Sequence, residues 1–303
     1  MTFNCFSIGT VQFGTHYGIT NSAGAPSQEV INCMLDAFVT SGNSFLDSAK
    51  EYGNAHQVIA QWLNTQRLIQ KDELKITTKV FVNDAADIEA LPLTVAKICD
   101  EFGIATLYGL MIHNPSILIE KKLGAELNQQ FNVVKESNLV KKTGVSVYAP
   151  QEVFSLKSQI QHIDIIQCPV NIFDQRFITD EFSGFCLENK IEIHARSLFL
   201  QGLLLATVMP SQIKNDKIKA AFKVYQDFNR LHNLTNLEAC LLFAYNYREK
   251  IDRWVVGFNK YDEILEFFRT QQQISSHPRV CFDTLVNKDH YIDPRKWEYI
   301  QLC

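Results

Sequence analysis

The chain has 303 residues, 46% of them hydrophobic and 20% charged, which suits a globular protein large enough to hold a core without disulfides or a structural metal. A formal net charge of −4 argues against nucleic acid or an anionic membrane as the main partner. No run of about 18 apolar residues is present to span a bilayer, and the opening Met1-Thr2-Phe3-Asn4-Cys5-Phe6 lacks the basic-then-apolar layout of a secretory signal.

In chain order, short apolar runs alternate with longer amphipathic ones. A strand at 5–8 precedes a helix at 27–40, with Ser27 as N-cap and Glu29 in the first turn. A strand at 45–47 precedes a helix at 55–66. A strand at 75–80 precedes a helix at 87–101, capped by Asp87, with Pro92 as an alternative start. Three further pairs follow: strand 107–113 with helix 123–137, strand 142–146 with helix 150–157, and strand 163–168 with helix 179–189. The strand at 192–197 is followed by a helix at 212–231 and an additional one at 234–248. The strand at 253–257 and a helix at 262–270 end the pattern.

Strict strand–helix alternation implies parallel strands joined by right-handed crossovers. Eight units without an intervening linker or charge block predict one domain over residues 1–303, a (β/α)8 TIM barrel. A doubly wound open sheet is the competing architecture. Against it, the glycines after the first strand, Gly9, Gly14 and Gly18, do not make a GxGxxG dinucleotide turn. The eight cysteines, at 5, 33, 99, 168, 186, 240, 281 and 303, form no CxxC pair and no zinc-ligand spacing with histidine. No metal site is expected, and scattered thiols of this kind fit a reducing cytoplasm.

Active sites of such barrels form at the C-terminal ends of the strands. Four ionisable residues fall there on three consecutive strands. Asp47 ends the second in Phe45-Leu46-Asp47-Ser48-Ala49, and Tyr52 follows in Glu51-Tyr52-Gly53-Asn54. Lys79 ends the third in Ile76-Thr77-Thr78-Lys79-Val80, and His113 ends the fourth in Ile112-His113-Asn114-Pro115. Taken singly, each has a plain reading. Asp47 could cap a loop, Tyr52 could pack on the rim, Lys79 could be a solvated strand end, and His113 could be structural. Taken together, four independent plain explanations would have to coincide.

The order Asp, Tyr, Lys, His resembles the tetrad of the aldo-keto reductase superfamily, and the likeness runs from Ile8-Gly9-Thr10 to the last strand. Its most specific part is Leu46-Asp47-Ser48-Ala49-x-x-Tyr52-Gly53. The segments Gly9-Thr10-Val11-Gln12-Phe13-Gly14 and Ala195-Arg196-Ser197-Leu198-Phe199-Leu200-Gln201-Gly202-Leu203 resemble a bacterial subgroup often linked to surface-polysaccharide gene clusters. The resemblance implies reduction of an aldehyde or ketone, of a polar, sugar-type carbonyl in this subgroup, by hydride transfer from NADPH or NADH. Tyr52 would be the proton donor. A phenol is a weak acid at pH 7 unless its anion is stabilised, which an adjacent Lys79 ammonium would do. Asp47 would keep Lys79 in place and charged, and His113 would donate a hydrogen bond to the substrate oxygen.

The same resemblance implies a cofactor site. It assigns Thr10, Val11 and Asp47 to the nicotinamide end, Ser146 to the carboxamide and Gln167 to the other side of the ring. Val147 replaces the asparagine usual after that serine, and Arg196 replaces an aromatic that stacks on the ring, a role a guanidinium can also fill. Ser197, Leu198 and the Gln201-Gly202 turn would follow the pyrophosphate. Gly257 and Asn259 match phosphate-proximal positions, and Glu266 an adenine contact. Phe258 and Glu263 stand where the family places a lysine and an arginine around the 2′-phosphate, which implies weakened NADP selectivity, with Lys260 as a partial substitute. His56, where the family often has glutamate, reads as a structural rim residue.

Two other functions stay open at this stage. One is a regulatory protein of the same fold that binds cofactor with little turnover, as the potassium-channel beta subunits do. The other is a Schiff-base aldolase using Lys79, which would need that lysine desolvated and free of Asp47. The partner in either reductase reading is a small carbonyl compound.

Overall fold

In the computed structural model the described residues are 4–65, 69–286, 293, 294 and 297. Eight strands form a closed barrel in sequence order: β1 (Phe6–Gly9), β2 (Phe45–Asp47), β3 (Lys75–Val80), β4 (Leu107–Ile112), β5 (Val140–Ser146), β6 (Ile165–Pro169), β7 (Glu192–Arg196) and β8 (Arg253–Val256). All neighbours are parallel, and β8 returns to β1 through Phe6↔Trp254, Ser7↔Val255 and Ile8↔Val256. Closure leaves no sheet edge unpaired. The open-sheet alternative is thereby excluded. Strands β1, β2 and β6 are buried along their whole length, as expected where side chains face both the barrel interior and a helical layer.

The helices earn their place on the barrel through spaced apolar faces. Gln28–Thr40 buries Ile31, Met34, Leu35 and Phe38, one stripe at helical spacing. The closing helix Tyr261–Ile274 packs against this first helix and β1, with Phe267 edge-on to Phe6 at 4.8 Å and Phe268 beside Phe38 at 6.1 Å. Helix Ala55–Thr65 buries Trp62, whose indole N–H donates to Asp36 at 2.8 Å. Among the described residues no helix is long and apolar enough to cross a membrane.

The structure adds short helices at Val11–Gly14 and Ser116–Glu120 that the sequence did not suggest, and it moves several element ends. The predicted helix at 87–101 is two pieces, Ala85–Glu89 and Leu91–Phe102. Pro92 has no N–H to donate to the Ile88 carbonyl, so the helix breaks just before it. The N-cap there is Asp84, which accepts from the Asp87 N–H at 3.0 Å, while the Asp87 carboxylate accepts from the Asn83 N–H at 2.8 Å. Ser27 does cap its helix. The helix predicted from 212 starts at Asp216, capped by Asn215, and the one predicted from 234 starts at Asn236, capped by Thr235. Strand β4 stops one residue before His113, although the His113 N–H still donates to the Val80 carbonyl at 2.9 Å. Gln66 and Cys303 lie outside the described residues.

Candidate active site

Barrel register brings the ends of β1, β2 and β3 side by side, with Gly9 opposite Asp47 and Asp47 opposite Thr77. Asp47 is buried and is the hub of the cluster. Its Oδ2 accepts from Lys79 Nζ at 2.7 Å, and its Oδ1 accepts from Gln167 Nε2 at 2.7 Å and Thr77 Oγ1 at 3.1 Å. Lys79 is wholly buried and also donates to the Ser48 carbonyl at 2.8 Å. Burial draws the Lys79 pKa down from its usual value, and the Asp47 carboxylate opposes that. With its ammonium committed to Asp47 and Ser48, Lys79 does not line the cavity described below. The aldolase reading loses its nucleophile on that ground.

Tyr52 reaches the same point from the loop after β2. The loop crosses the β1 loop at two glycines. A Cβ on Gly14 would strike the Tyr52 carbonyl, and one on Gly53, whose φ is +56°, would strike the Gly14 carbonyl. This backbone contact seats the Tyr52 ring with Lys79 Nζ 5.3 Å from its centroid and His113 edge-on at 5.9 Å. Lys79 thus lies beside the Tyr52 ring, with its hydrogen bonds among the described residues going to Asp47 and Ser48. Burial first, then Asp47, pushes the Tyr52 phenol well above its usual range, and Arg196 acts in the opposite direction. The resting side chain is a protonated phenol.

His113 has a partner that the sequence did not suggest. Its Nδ1 lies 3.1 Å from Glu51 Oε2, and its ring packs on Phe81 at 4.9 Å. Burial raises the Glu51 carboxyl, but hydrogen bonds from His113 and the Phe81 N–H outweigh it and hold the group below its ordinary value. An ionised carboxylate only accepts, so Nδ1 carries the proton and Nε2 is left for a ligand. Nε2 can donate to a substrate oxygen only in the imidazolium form. Burial lowers the His113 pKa, Glu51 raises it, and Lys79 and Arg196 lower it further. His56, by contrast, is a buried structural residue. Its Nε2 lies 3.0 Å from Thr78 Oγ1, its ring packs on Phe102, and burial lowers its pKa to about 4.

A cavity of about 760 Å³ opens beside Tyr52 and runs over the ends of β1, β7 and β8. Near Tyr52 it is lined by Thr10, Val11, Asp47, Gln167 and Arg196. Ser197, Leu198, Gln201 and Gly202 also line it, as do Gly257, Asn259, Glu263 and Glu266. The 197–202 turn is strained, with positive φ at Ser197, Leu200, Gln201 and Gly202. Ser146 does not reach the cavity. It is buried at the end of β5 in register with Gln167. Glu263 has a local task too: its Oε2 accepts from the backbone N–H groups of Asn259 at 2.7 Å and Lys260 at 3.3 Å, opening the last helix. Sequence reading missed Glu51, Tyr17, Tyr148 and Gln12, as well as Asn229 and Arg230 of the inserted helix Asp216–Leu231. Glu51, adjacent to Tyr52, was the one with a positional signal.

Four buried side-chain amide oxygens on the cavity wall, of Gln12, Gln167, Asn229 and Asn259, have no hydrogen-bond partner among the described residues. Buried acceptors of this kind are costly unless a ligand supplies donors. A dinucleotide, with its carboxamide, ribose hydroxyls and adenine amino group, supplies donors spread along such a length. The residues present fit that kind of group.

A family model of the aldo/keto reductases matches residues 6–274. No curated protein matches the chain. Among solved structures, the aldo-keto reductase AKR11C1 of Bacillus halodurans, in a holo form, superposes with a TM-score of 0.69 over 95% of each chain at 14% identity. PA4992 of Pseudomonas aeruginosa, a candidate aldo-keto reductase, gives a TM-score of 0.63 at 14% identity, covering 89% of this chain and 90% of the other. At that identity the two structures speak for the fold.

Proposed function

Because this chain belongs to the aldo/keto reductase family, we propose that it reduces an aldehyde or ketone with a nicotinamide cofactor, Tyr52 giving the proton. The observation that supports this reading is that Asp47 and Tyr52, which contact Lys79 and His113 behind them, line one cavity whose wall also carries unpaired amide acceptors. When bound, the cofactor supplies a hydride to the carbonyl carbon. Every other task falls to the chain.

Tyr52 delivers its proton to the carbonyl oxygen as that oxygen gains electrons. Burial and Asp47 keep the phenol protonated before the reaction, which loads the donor but weakens it as an acid, the opposite of the stabilised anion expected from the sequence. Arg196 and the Lys79 ammonium over the ring then stabilise the phenolate left behind. His113 leaves Nε2 for the same oxygen, with Glu51 fixing the ring through Nδ1; burial holds its pKa below the usual histidine value, so donation from Nε2 grows as the pH falls. Gln167, whose Nε2 is held by Asp47, offers its free Oε1 to the cofactor carboxamide. The turn at 197–202 and the junction at 257–263 would carry the phosphates and the adenosine.

The cofactor end bears on NAD against NADP. If the adenosine lies on the 257–263 turn, a 2′-phosphate meets the Glu263 carboxylate, which already occupies two backbone donors there. A ribose hydroxyl can donate to that carboxylate, whereas a phosphate is repelled by it. We therefore favour NADH as at least an equal partner.

The direct test is Tyr52→Phe. Dissociation constants for NADH and NADPH should change little, while kcat falls by at least ~100-fold, the lower range for a lost general acid. Near-normal turnover in that variant would remove the central claim.

A further inference from the structure

Arg196 ends β7 and lines the cavity beside Tyr52 and Asp47, yet no carboxylate among the described residues pairs with it. Two carboxylates of the cluster around Tyr52 are already taken. Asp47 is bound by Lys79, and Glu51 by His113. One face of the Arg196 guanidinium is covered by Tyr148, with Cζ 4.1 Å from the ring centroid. Its hydrogen bonds to other described residues are two long ones, to the Val147 carbonyl at 3.3 Å and to Ser197 Oγ at 3.4 Å. The ionisable groups that chiefly influence it are three phenols and a thiol, of Tyr148, Tyr17, Tyr52 and Cys168, and no carboxylate is among them.

A guanidinium has five N–H donors, so most of this one's hydrogen-bonding capacity is unspent. A partly buried cation without a counter-charge is unfavourable. Such a residue is tolerable where a ligand completes the pair. The planar donor edge of arginine matches a carboxylate or phosphate two bonds at a time. The rest of the cluster reinforces the point. Asp47 is taken up by Lys79 and Glu51 by the Nδ1–H of His113, so neither carboxylate pairs directly with Arg196.

We propose that the carbonyl substrate is an anion, bearing a carboxylate or phosphate that Arg196 holds while its carbonyl oxygen reaches Tyr52. This rests on the reductase reading for the carbonyl, but the anion site itself does not. Arg196 would then act in substrate selection, with Tyr148 stacking on the guanidinium to fix its plane.

Two arms separate these claims. In the first, kcat/KM at pH 7 is compared for glyoxylate, succinic semialdehyde and 4-carboxybenzaldehyde against their methyl esters, and for glyceraldehyde 3-phosphate against glyceraldehyde. The wild type should favour at least one charged member by 10-fold or more, and Arg196→Met should collapse that ratio towards one. The pair that discriminates tells carboxylate from phosphate. In the second, calorimetry follows succinate and inorganic phosphate binding to the protein with and without saturating NADH. Binding should survive NADH and be lost in Arg196→Met, while Arg196→Lys keeps part of it. Anion binding that depends on Arg196 in a protein inert towards every carbonyl would sustain the anion site and sink the reductase reading. Equal turnover of acids and esters, or anion binding abolished by NADH, would overturn the inference and leave the reductase reading standing, with Arg196 serving the cofactor instead.

Discussion

Replacing Asp47 by asparagine isolates the electrostatics of the site. The amide oxygen introduced by Asp47→Asn could keep the hydrogen bonds from Thr77 and Gln167, but its NH2 group would face Lys79 Nζ, which now sits 2.7 Å from a carboxylate oxygen and has no access to solvent. Removing one partner of a buried pair costs about 3–5 kcal/mol when the other stays charged. The less costly response is for Lys79 to shed its proton and accept a hydrogen bond from the new amide. The folded variant then binds one proton fewer than the unfolded chain, so its stability rises with pH up to the unfolded lysine value and is lost as pH falls. The slope is about 1.4 kcal/mol per pH unit. Urea unfolding of parent and Asp47→Asn proteins at pH 7, 8 and 9 should give a difference that shrinks from about 4 kcal/mol to about 1 kcal/mol. The parent changes less, because its lysine is paired. The double variant Asp47→Asn with Lys79→Met should be insensitive to pH over the same range. A penalty for Asp47→Asn that stays constant from pH 7 to 9 would mean that Lys79 remains an ammonium without its carboxylate, and the reasoning about this pair would fail.

Two further outcomes follow from groups at the edge of the site. Fluorescence titration should give NADPH and NADH dissociation constants within about tenfold of each other, and Glu263→Gln should shift the ratio towards NADPH; a preference for NADPH above ~100-fold in the parent, about 2.7 kcal/mol, would defeat the reading of Glu263. His56 has a folded pKa lowered from 6.5 to about 4 by burial, so folding is disfavoured once the unfolded histidine protonates. Stability is complete above about pH 6.5 and falls as pH drops towards 4, by at most about 3 kcal/mol. His56→Asn should flatten that acid limb in urea titrations, and an unchanged limb would assign acid sensitivity elsewhere.

Much of this molecule could be read along the chain because the determining forces are local. A parallel strand buried on both faces needs a short apolar run, and a covering helix needs a stripe at 3.6-residue spacing, so the eight units and the barrel they close are visible in the order of residues. Asp47, Tyr52, Lys79 and His113 were visible for the same reason, each lying at or just after a strand end. Caps were less legible: Asp84 and Asp87 are both plausible by type, and in the fold Asp84 caps the helix while the Asp87 carboxylate binds the Asn83 N–H. What the tertiary structure alone decided is which side chains meet. Gln167 reaches Asp47 across 120 residues and His113 reaches Glu51 across 62, pairings set by the stagger of strands around the closed barrel. Arg196 reads in the sequence as a stand-in for a stacking aromatic, and it becomes an uncompensated charge only because Lys79 and His113 have claimed the carboxylates beside it. Charge balance in a buried site is a property of neighbours in space, and no single stretch of the chain contains it.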